Sequence, residues 1–320
     1  MPAKGLKIIF MGSPDFACPT LEALLQSDHD ISHVLTQPPR AAGRGMAETK
    51  TPVATCAMDH NIPTSWPESL SGDEVKNHLA ALRPDLFVVV AYGLILPGDI
   101  LSIPPYGSVN GHASLLPRWR GAAPIQRAIE SGDPVTGTCA MMMEKGLDTG
   151  PVIEKMQTNI SPQDTAQTLH DRLAMMTAKT LLLAIDKIAD GTAVPVPQSE
   201  NGITYAAKIH KSEAALDLAR PAQALKQQIH AFSPFPGSFI KGQSGARLKC
   251  LTASISAMTH DKKAGTYLGT DDDNALLLAC GDGTVLGIHT LQPSGKKPMT
   301  SAEFLRGRTL TINISLDSQI

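Results

Sequence analysis

The stretch Leu86-Phe87-Val88-Val89-Val90 carries no polar residue in five consecutive positions. Successive side chains of a strand point to opposite faces of a sheet, so such a run is buried on both. That is the condition of a strand inside a parallel sheet whose two faces are covered by helices. Neighbouring segments repeat the pattern. Residues 6–11 are apolar and stop at Gly12-Ser13-Pro14, after which Phe16, Leu21, Leu24 and Leu25 recur at helical spacing. Strands are predicted over 31–35, 107–113, 136–143 and 152–160, with helices over 52–60, 73–82, 122–130 and 165–189. Strand and helix alternate, which predicts a doubly wound α/β sheet. Residues 36–51 are rich in Gly, Pro and Arg, lack an apolar period and are expected to form a long loop, a feature that is usually functional.

The chain has 320 residues, and a single hydrophobic core stops growing near ~250–300, so two domains are expected. The first spans residues 1–189. A Pro-rich stretch, Gly191-Thr-Ala-Val-Pro-Val-Pro197, marks residues 190–206 as an extended linker. Beyond it a helix at 222–230 precedes short runs at 248–255, 265–268, 275–279 and 284–291, separated by turn residues, which predict a small β-barrel over 207–320. A hydrophobic fraction of 42% with 18% charged residues excludes a disordered or fibrous chain. The formal net charge of −2 conceals two unlike halves, with 13 Lys and Arg against 9 Asp and Glu beyond Ala206, and 15 against 21 before it. The C-terminal domain is therefore the expected nucleic-acid surface.

Cys18, Cys56, Cys139, Cys250 and Cys280 are widely spaced, with no CxxC and no zinc-type His pair, so neither a disulfide framework nor a bound metal is expected. The N-terminus leaves no room for a signal or transit peptide, and no apolar run is long enough to span a bilayer. A cytoplasmic protein without a membrane partner is expected. The Gly12-Ser13-Pro14 turn lacks GxGxxG and the Walker lysine, which argues against a nicotinamide cofactor or ATP. There is no GxSxG elbow, Cys139 sits in an apolar strand, and Met141, Met142 and Met143 are expected in core and pocket wall.

The chemistry concentrates in Val109-Asn-Gly-His-Ala-Ser-Leu-Leu-Pro-Arg-Trp-Arg-Gly121. Asn110 and His112 are two apart on a strand and share a face at its carboxyl edge, where doubly wound folds bind ligands. An amide beside an imidazole can stabilise an oxyanion. A single histidine at a strand end is more often structural than catalytic, so a partner is required. Asp148, in Gly146-Leu-Asp-Thr-Gly150, follows the strand over 138–143; if the sheet is parallel there, both loops open on one edge and Asp148 can orient or charge His112.

Asn110-x-His112 with Ser114-Leu-Leu-Pro117, then Arg118-Trp-Arg-Gly-Ala-Ala-Pro-Ile-Gln-Arg127 and Gly146-Leu-Asp-Thr-Gly150, resembles the folate-dependent formyltransferases. So do Met11-Gly-Ser-Pro-Asp-Phe16, Ala42-Gly-Arg-Gly45, Val90-Ala-Tyr-Gly-Leu-Ile-Leu-Pro97, Thr204-Tyr-Ala-Ala-Lys-Ile209, Ala231-Phe-Ser-Pro-Phe-Pro-Gly237 and Leu291-Gln-Pro-Ser-Gly-Lys-Lys297, in order along the chain. The long loop and the C-terminal segments resemble the members that act on a charged tRNA. The resemblance implies a Rossmann-like catalytic domain followed by an oligonucleotide-binding-like (OB-like) barrel. It implies transfer of the formyl group of 10-formyltetrahydrofolate, without a metal, to methionine carried on initiator tRNA. Asn110, His112 and Asp148 are the implied catalytic residues. Tyr92, Gly93, Leu94, Ile95, Leu96, Pro97, Ser114, Leu115, Leu116, Pro117, Met142 and Gly146 are implied around the folate. Arg40, Arg44 and Lys50 in the long loop, and Lys208, Lys211, Lys296 and Lys297 in the tail, are implied to meet the tRNA, with Arg220, Arg306 and Arg308 as further basic candidates. A monomer is implied.

Two positions depart from that family's pattern. After Arg44-Gly45 the chain reads Met46-Ala-Glu-Thr-Lys50 where lysines are usual, which makes the loop less basic. Between the two strand residues stands Gly111, where valine or isoleucine is common; glycine there removes packing from the strand, so either a neighbour fills the gap or the site is looser than usual, and Gly111→Val is expected to stabilise the fold if the backbone angles suit valine. Two other functions use the same features: formyl transfer to a small amine, and RNA binding without turnover.

Overall fold

The computed structural model describes residues 5–42, 47–242 and 245–306. They form two compact units, the first drawn from Met1–Pro124, Val135–Thr158 and His170–Ala206, the second from Ile125–Pro134, Asn159–Leu169 and Ala207–Ile320.

In chain order the first half contains β1 (Lys7–Gly12), α1 (Cys18–Leu25), β2 (Asp30–Leu35), β3 (Arg40–Ala42), β4 (Ala47–Thr49), α2 (Pro52–Asp59), β5 (Thr64–Ser65), α3 (Asp73–Ala81) and β6 (Leu86–Val90). It continues through α4 (Gly98–Leu101), β7 (Ser108–His112), β8 (Arg120–Gly121), α5 (Pro124–Glu130), β9 (Val135–Met142), β10 (Val152–Asn159), α6 (Ala166–Ala189) and β11 (Tyr205–Ala206). A seven-stranded sheet runs in the order β10-β9-β7-β6-β1-β2-β5. All five residues of β6 are buried, as the unbroken apolar run requires. Parallel pairing of β1 with β2 and β6, and of β6 with β7, places the loops after β1, β6 and β7 at one edge. Ser13 Oγ joins two of them by donating to the Tyr92 carbonyl at 2.9 Å.

Three expectations change. β9 pairs antiparallel with β7, so the sheet is mixed. The segment expected to be a loop over 36–51 contains the two-stranded β3–β4 ribbon and ends at Thr51, whose side chain caps α2 by accepting from Ala54 N at 3.0 Å. Residues 190–206 are held within the first unit: Val196 bridges Val152, and β11 pairs with β8.

In the second unit α7 (Ala222–Ala231) precedes β12 (Phe239–Lys241), β13 (Arg247–Ser256), β14 (Tyr267–Thr270), β15 (Leu276–Ala279), β16 (Val285–Pro293), β17 (Met299–Thr300) and α8 (Ser301–Leu305). The strands form a six-stranded antiparallel sheet in the order β12-β13-β16-β15-β14, with β17 on β16. Leu225 and Ile229 of α7 and Phe304 of α8 pack into a core with Leu248, Leu276, Leu286 and Ile288. α8 begins on a reciprocal cap, Thr300 with Glu303, a signature present in the sequence as Thr-x-x-Glu. Arg127, within the family-like segment, is structural: it pairs with Glu130 at 2.6 Å and Glu213 at 2.9 Å.

His230 ends α7 and is 5% exposed. Its Nε2 accepts from Ala253 N at 3.1 Å, which requires a neutral ring at that nitrogen. Burial, helped by the Lys226 charge, pulls its pKa from 6.5 down to about 4. The unfolded chain takes up this proton near pH 6.5 and the folded chain only near 4, so the contribution is complete above 6.5 and is lost as the pH falls from 6.5 to 4. Thermal unfolding of the wild type is expected to drop across that window more steeply than that of His230→Gln, which keeps an acceptor and does not titrate; parallel curves would refute this.

Candidate active site

β7 carries the central residues. Asn110 pairs with Val89 on one side and Met141 on the other, and His112 with Cys139. Asn110 and His112 share one face of the strand, and Gly111 faces the other. A Cβ at Gly111 would lie 2.6 Å from Thr177 Cγ2 and 2.7 Å from Leu181 Cδ1 of α6. Of the two alternatives at this position the first holds, since the helix side chains fill the space, and the expected stabilisation by valine is overturned because a larger side chain would meet them.

Because β9 is antiparallel to β7, its Met142 lies opposite Val109, at the start of β7 and not at its end. The loop after β9 does not leave by the His112 edge, as a parallel strand would have it do. It folds back, and Asp148, in a left-handed conformation at φ +51°, brings Oδ2 to 3.7 Å from His112 Nδ1. The same Oδ2 accepts from Gly121 N at 2.8 Å. The other ring nitrogen, Nε2, donates to the Trp119 carbonyl at 2.8 Å. Trp119 also has a positive φ, +65°, and its N–H donates to Thr204 Oγ1 at 2.8 Å. Ser114 Oγ tightens the turn by donating to the Arg118 carbonyl at 2.6 Å.

His112 is 6% exposed, and both its nitrogens face acceptors, a carbonyl and a carboxylate. The half-buried Asn110 amide makes no side-chain hydrogen bond within the described residues and is the free donor on this face. Donation from His112 to a substrate, in contrast, competes with the Trp119 carbonyl.

The residues expected around a folate are placed unequally. Tyr92 is 2% exposed and Leu96 is buried, both side chains packed with Leu35, Leu79 and Phe87, so neither lines an open pocket. Burial also pushes the Tyr92 phenol far above its usual range. Gly93 has φ +86°, Leu94 and Pro97 are half-buried, and Ile95 is 91% exposed. Ser114 is buried against Arg118, whereas Leu115, Met142 and Asp148 are half-buried and Gly146 is exposed. Leu116 and Pro117 help line a cleft of about 440 Å³ with Val152, Glu154, Val196 and Gln198; Asn110, His112 and Asp148 do not line it.

Arg40, Lys50, Lys208, Lys211, Lys296 and Lys297 are all exposed, as are Arg220 and Arg306. Arg40 donates to Gln37 Oε1 at 3.0 Å and Arg220 to Gln228 Oε1 at 2.9 Å. Arg44 and Arg308 lie outside the described residues. Among the described residues no cluster of three His, Cys, Asp or Glu side chains is arranged to hold a metal, and no helix is long and apolar enough to cross a membrane. Sequence reasoning missed Thr204 and Gln198, which lie in the segment read as a linker, and the Trp119 carbonyl, since nothing in a side chain announces a backbone acceptor.

Residues 6–185 match the family model described as formyl transferase, and residues 208–309 that described as formyl transferase, C-terminal domain. The chain is 44% identical to a methionyl-tRNA formyltransferase of Hydrogenovibrio crunogenus, covering 96% of this chain and 97% of the other. It is 48% identical to that of Ruegeria pomeroyi over 94% and 97%. The chain therefore belongs to the formyl transferase family, in its methionyl-tRNA formyltransferase branch. Solved structures share the fold at lower identity. WlaRD, a sugar 3N-formyl transferase crystallised with dTDP and 5-N-formyl-THF, aligns with a TM-score of 0.65 at 17% identity over 91% of this chain and 99% of its own. HypX from Aquifex aeolicus in complex with tetrahydrofolic acid aligns at 0.63 and 15% over 94% of this chain and 47% of its own.

Valine at 111 is expected to destabilise the fold by about 1–3 kcal/mol through overpacking against α6. Calorimetry of Gly111→Val and Gly111→Ala checks this; a raised Tm in the valine variant would show that α6 yields.

Proposed function

We propose that this chain transfers the formyl group of 10-formyltetrahydrofolate to the α-amino group of methionine esterified to initiator tRNA. The observation that carries the reading is the convergence of Asn110, His112 and Asp148 on one face of β7, with His112 Nδ1 3.7 Å from Asp148 Oδ2, in a chain of this family.

The donor fits the loop after β6. Leu94 and the protruding Ile95 supply apolar surface for a pterin. When bound, the folate supplies a formyl carbon open to attack by an amine. The Asn110 amide is placed to donate to the formyl oxygen as negative charge gathers there. The His112–Asp148 pair is placed to take the proton that the amine sheds as the new C–N bond forms and to return it to the departing folate nitrogen. Asp148, anchored by Gly121 N, keeps the imidazole oriented.

The exposed lysines at 208, 211, 296 and 297, with Arg40 and Lys50, suit contacts to tRNA phosphates that position the RNA without reading its sequence. Affinity for tRNA is expected to fall linearly on a log scale with salt.

The test is transfer of labelled formyl from 10-formyltetrahydrofolate to initiator Met-tRNA, beside uncharged tRNA, free methionine and an amino sugar nucleotide. Formylation confined to the charged tRNA is expected, falling ~100–1,000-fold in Asn110→Ala and His112→Ala with Tm retained. A fully active His112→Ala would sink the site, and transfer only to the small amine would sink the substrate.

A further inference from the structure

One side chain of the 190–206 segment binds both loops of the active site. Gln198 Oε1 accepts from Arg120, from Nε at 3.1 Å and Nη2 at 2.8 Å. Its Nε2 donates to the carbonyl oxygens of Asp148 and Gly150, each at 2.8 Å. The amide orientation follows from its neighbours. Turned over, its NH₂ would face a guanidinium, which has only donors, and its oxygen would face two carbonyls. Arg120 is 7% exposed, so its planar fork is itself held in place. The Val196–Val152 bridge, with both hydrogen bonds at 2.8 Å, fixes the backbone two residues before Gln198.

Asp148 requires such support. A non-glycine residue at φ +51° persists only where its surroundings over-determine it. The preceding residues 144–147 are exposed and supply no packing. The carbonyls held by Gln198 are those of Asp148 itself and of the residue two further on. Thr204, six residues after Gln198, holds the opposite loop, accepting from Trp119 N while its carbonyl accepts from Arg120 N at 2.9 Å.

We propose that Gln198 is a positioning residue for formyl transfer: by holding the Asp148 and Gly150 carbonyls against the fixed Arg120 guanidinium, it sets the contact between Asp148 and His112. This rests on the catalytic role given to that pair above, and an experiment independent of turnover separates the two. Gln198→Met keeps the length and loses all four hydrogen bonds. Gln198→Glu keeps the acceptor for Arg120 but replaces the donor by an oxygen facing two carbonyls.

Two measurements are made on the whole chain. In steady-state kinetics, both variants are expected to lose about 100-fold in kcat, the scale of a displacement of ~1 Å, with KM for folate and for charged tRNA within about threefold. In nitrogen-15 NMR of the imidazoles, both are expected to shift the His112 Nδ1 signal in the direction given by Asp148→Asn, with unfolding temperatures near wild type. Wild-type kcat, or unchanged His112 signals in both variants, would overturn the proposal, as would a lowered Tm with an unchanged His112 signal. If the wild-type chain transfers no formyl group, the catalytic reading fails, and the NMR comparison still decides whether Gln198 holds Asp148 to His112.

Discussion

Burial of β6 on both faces is the constraint from which the rest follows. A strand with no polar side chain needs helices above and below it and hydrogen-bonded strands on each side. β1 and β7 fill those sides in parallel, so three consecutive loops emerge at one edge. The Ser13 hydroxyl and the Gln37 amide both donate to the Tyr92 carbonyl and tie the loops after β1 and β2 to the loop after β6. His112 lies at the same edge because it is the last residue of β7. Packing of Gly111 against Thr177 and Leu181 then brings α6 close to the strand that carries both catalytic candidates.

Two histidines show how little burial says about role. His112 and His230 are 6% and 5% exposed. His230 accepts from a backbone N–H, and burial holds it neutral down to about pH 4, so it serves as a fixed cross-link between α7 and β13. His112 instead meets a carbonyl at one nitrogen and a carboxylate near the other. A backbone donor fixes the His230 ring in one hydrogen-bonded arrangement, whereas a carbonyl and a carboxylate flank the two nitrogens of His112. The two histidines differ in their partners, and neither partner of His112 adjoins it in sequence.

The site is assembled from short-range strain and long-range ties. Trp119, Asp148 and Ala91 all adopt positive φ in loops flanking the sheet edge. Each costs on the order of 1 kcal/mol relative to ordinary backbone. At Trp119 and Asp148 the offsetting bonds come from residues 196–206, through Gln198, Thr204 and the β8–β11 pair. A segment whose composition suggests a passive connector is thus part of the first unit and braces the loops around His112.

Much of this was legible in the chain alone. The apolar period at β1, β2, β6 and β7 determined a doubly wound sheet, and the spacing of Asn110 and His112 placed them on one face of a strand, because a strand's side-chain period is fixed by backbone geometry. The direction of β9 was not legible, since an apolar strand reads alike either way. Asp148 was identified as the partner of His112, but for a reason that the antiparallel pairing removes; its approach depends on a positive φ and on Gln198, fifty residues away. Gly111 looked like a gap because nothing in a sequence shows which helix will lie over a strand. Local periodicity and residue chemistry are written in neighbouring positions, whereas strand direction, the filling of space and the partners of each imidazole nitrogen depend on residues far apart in the chain, and only tertiary packing decided them.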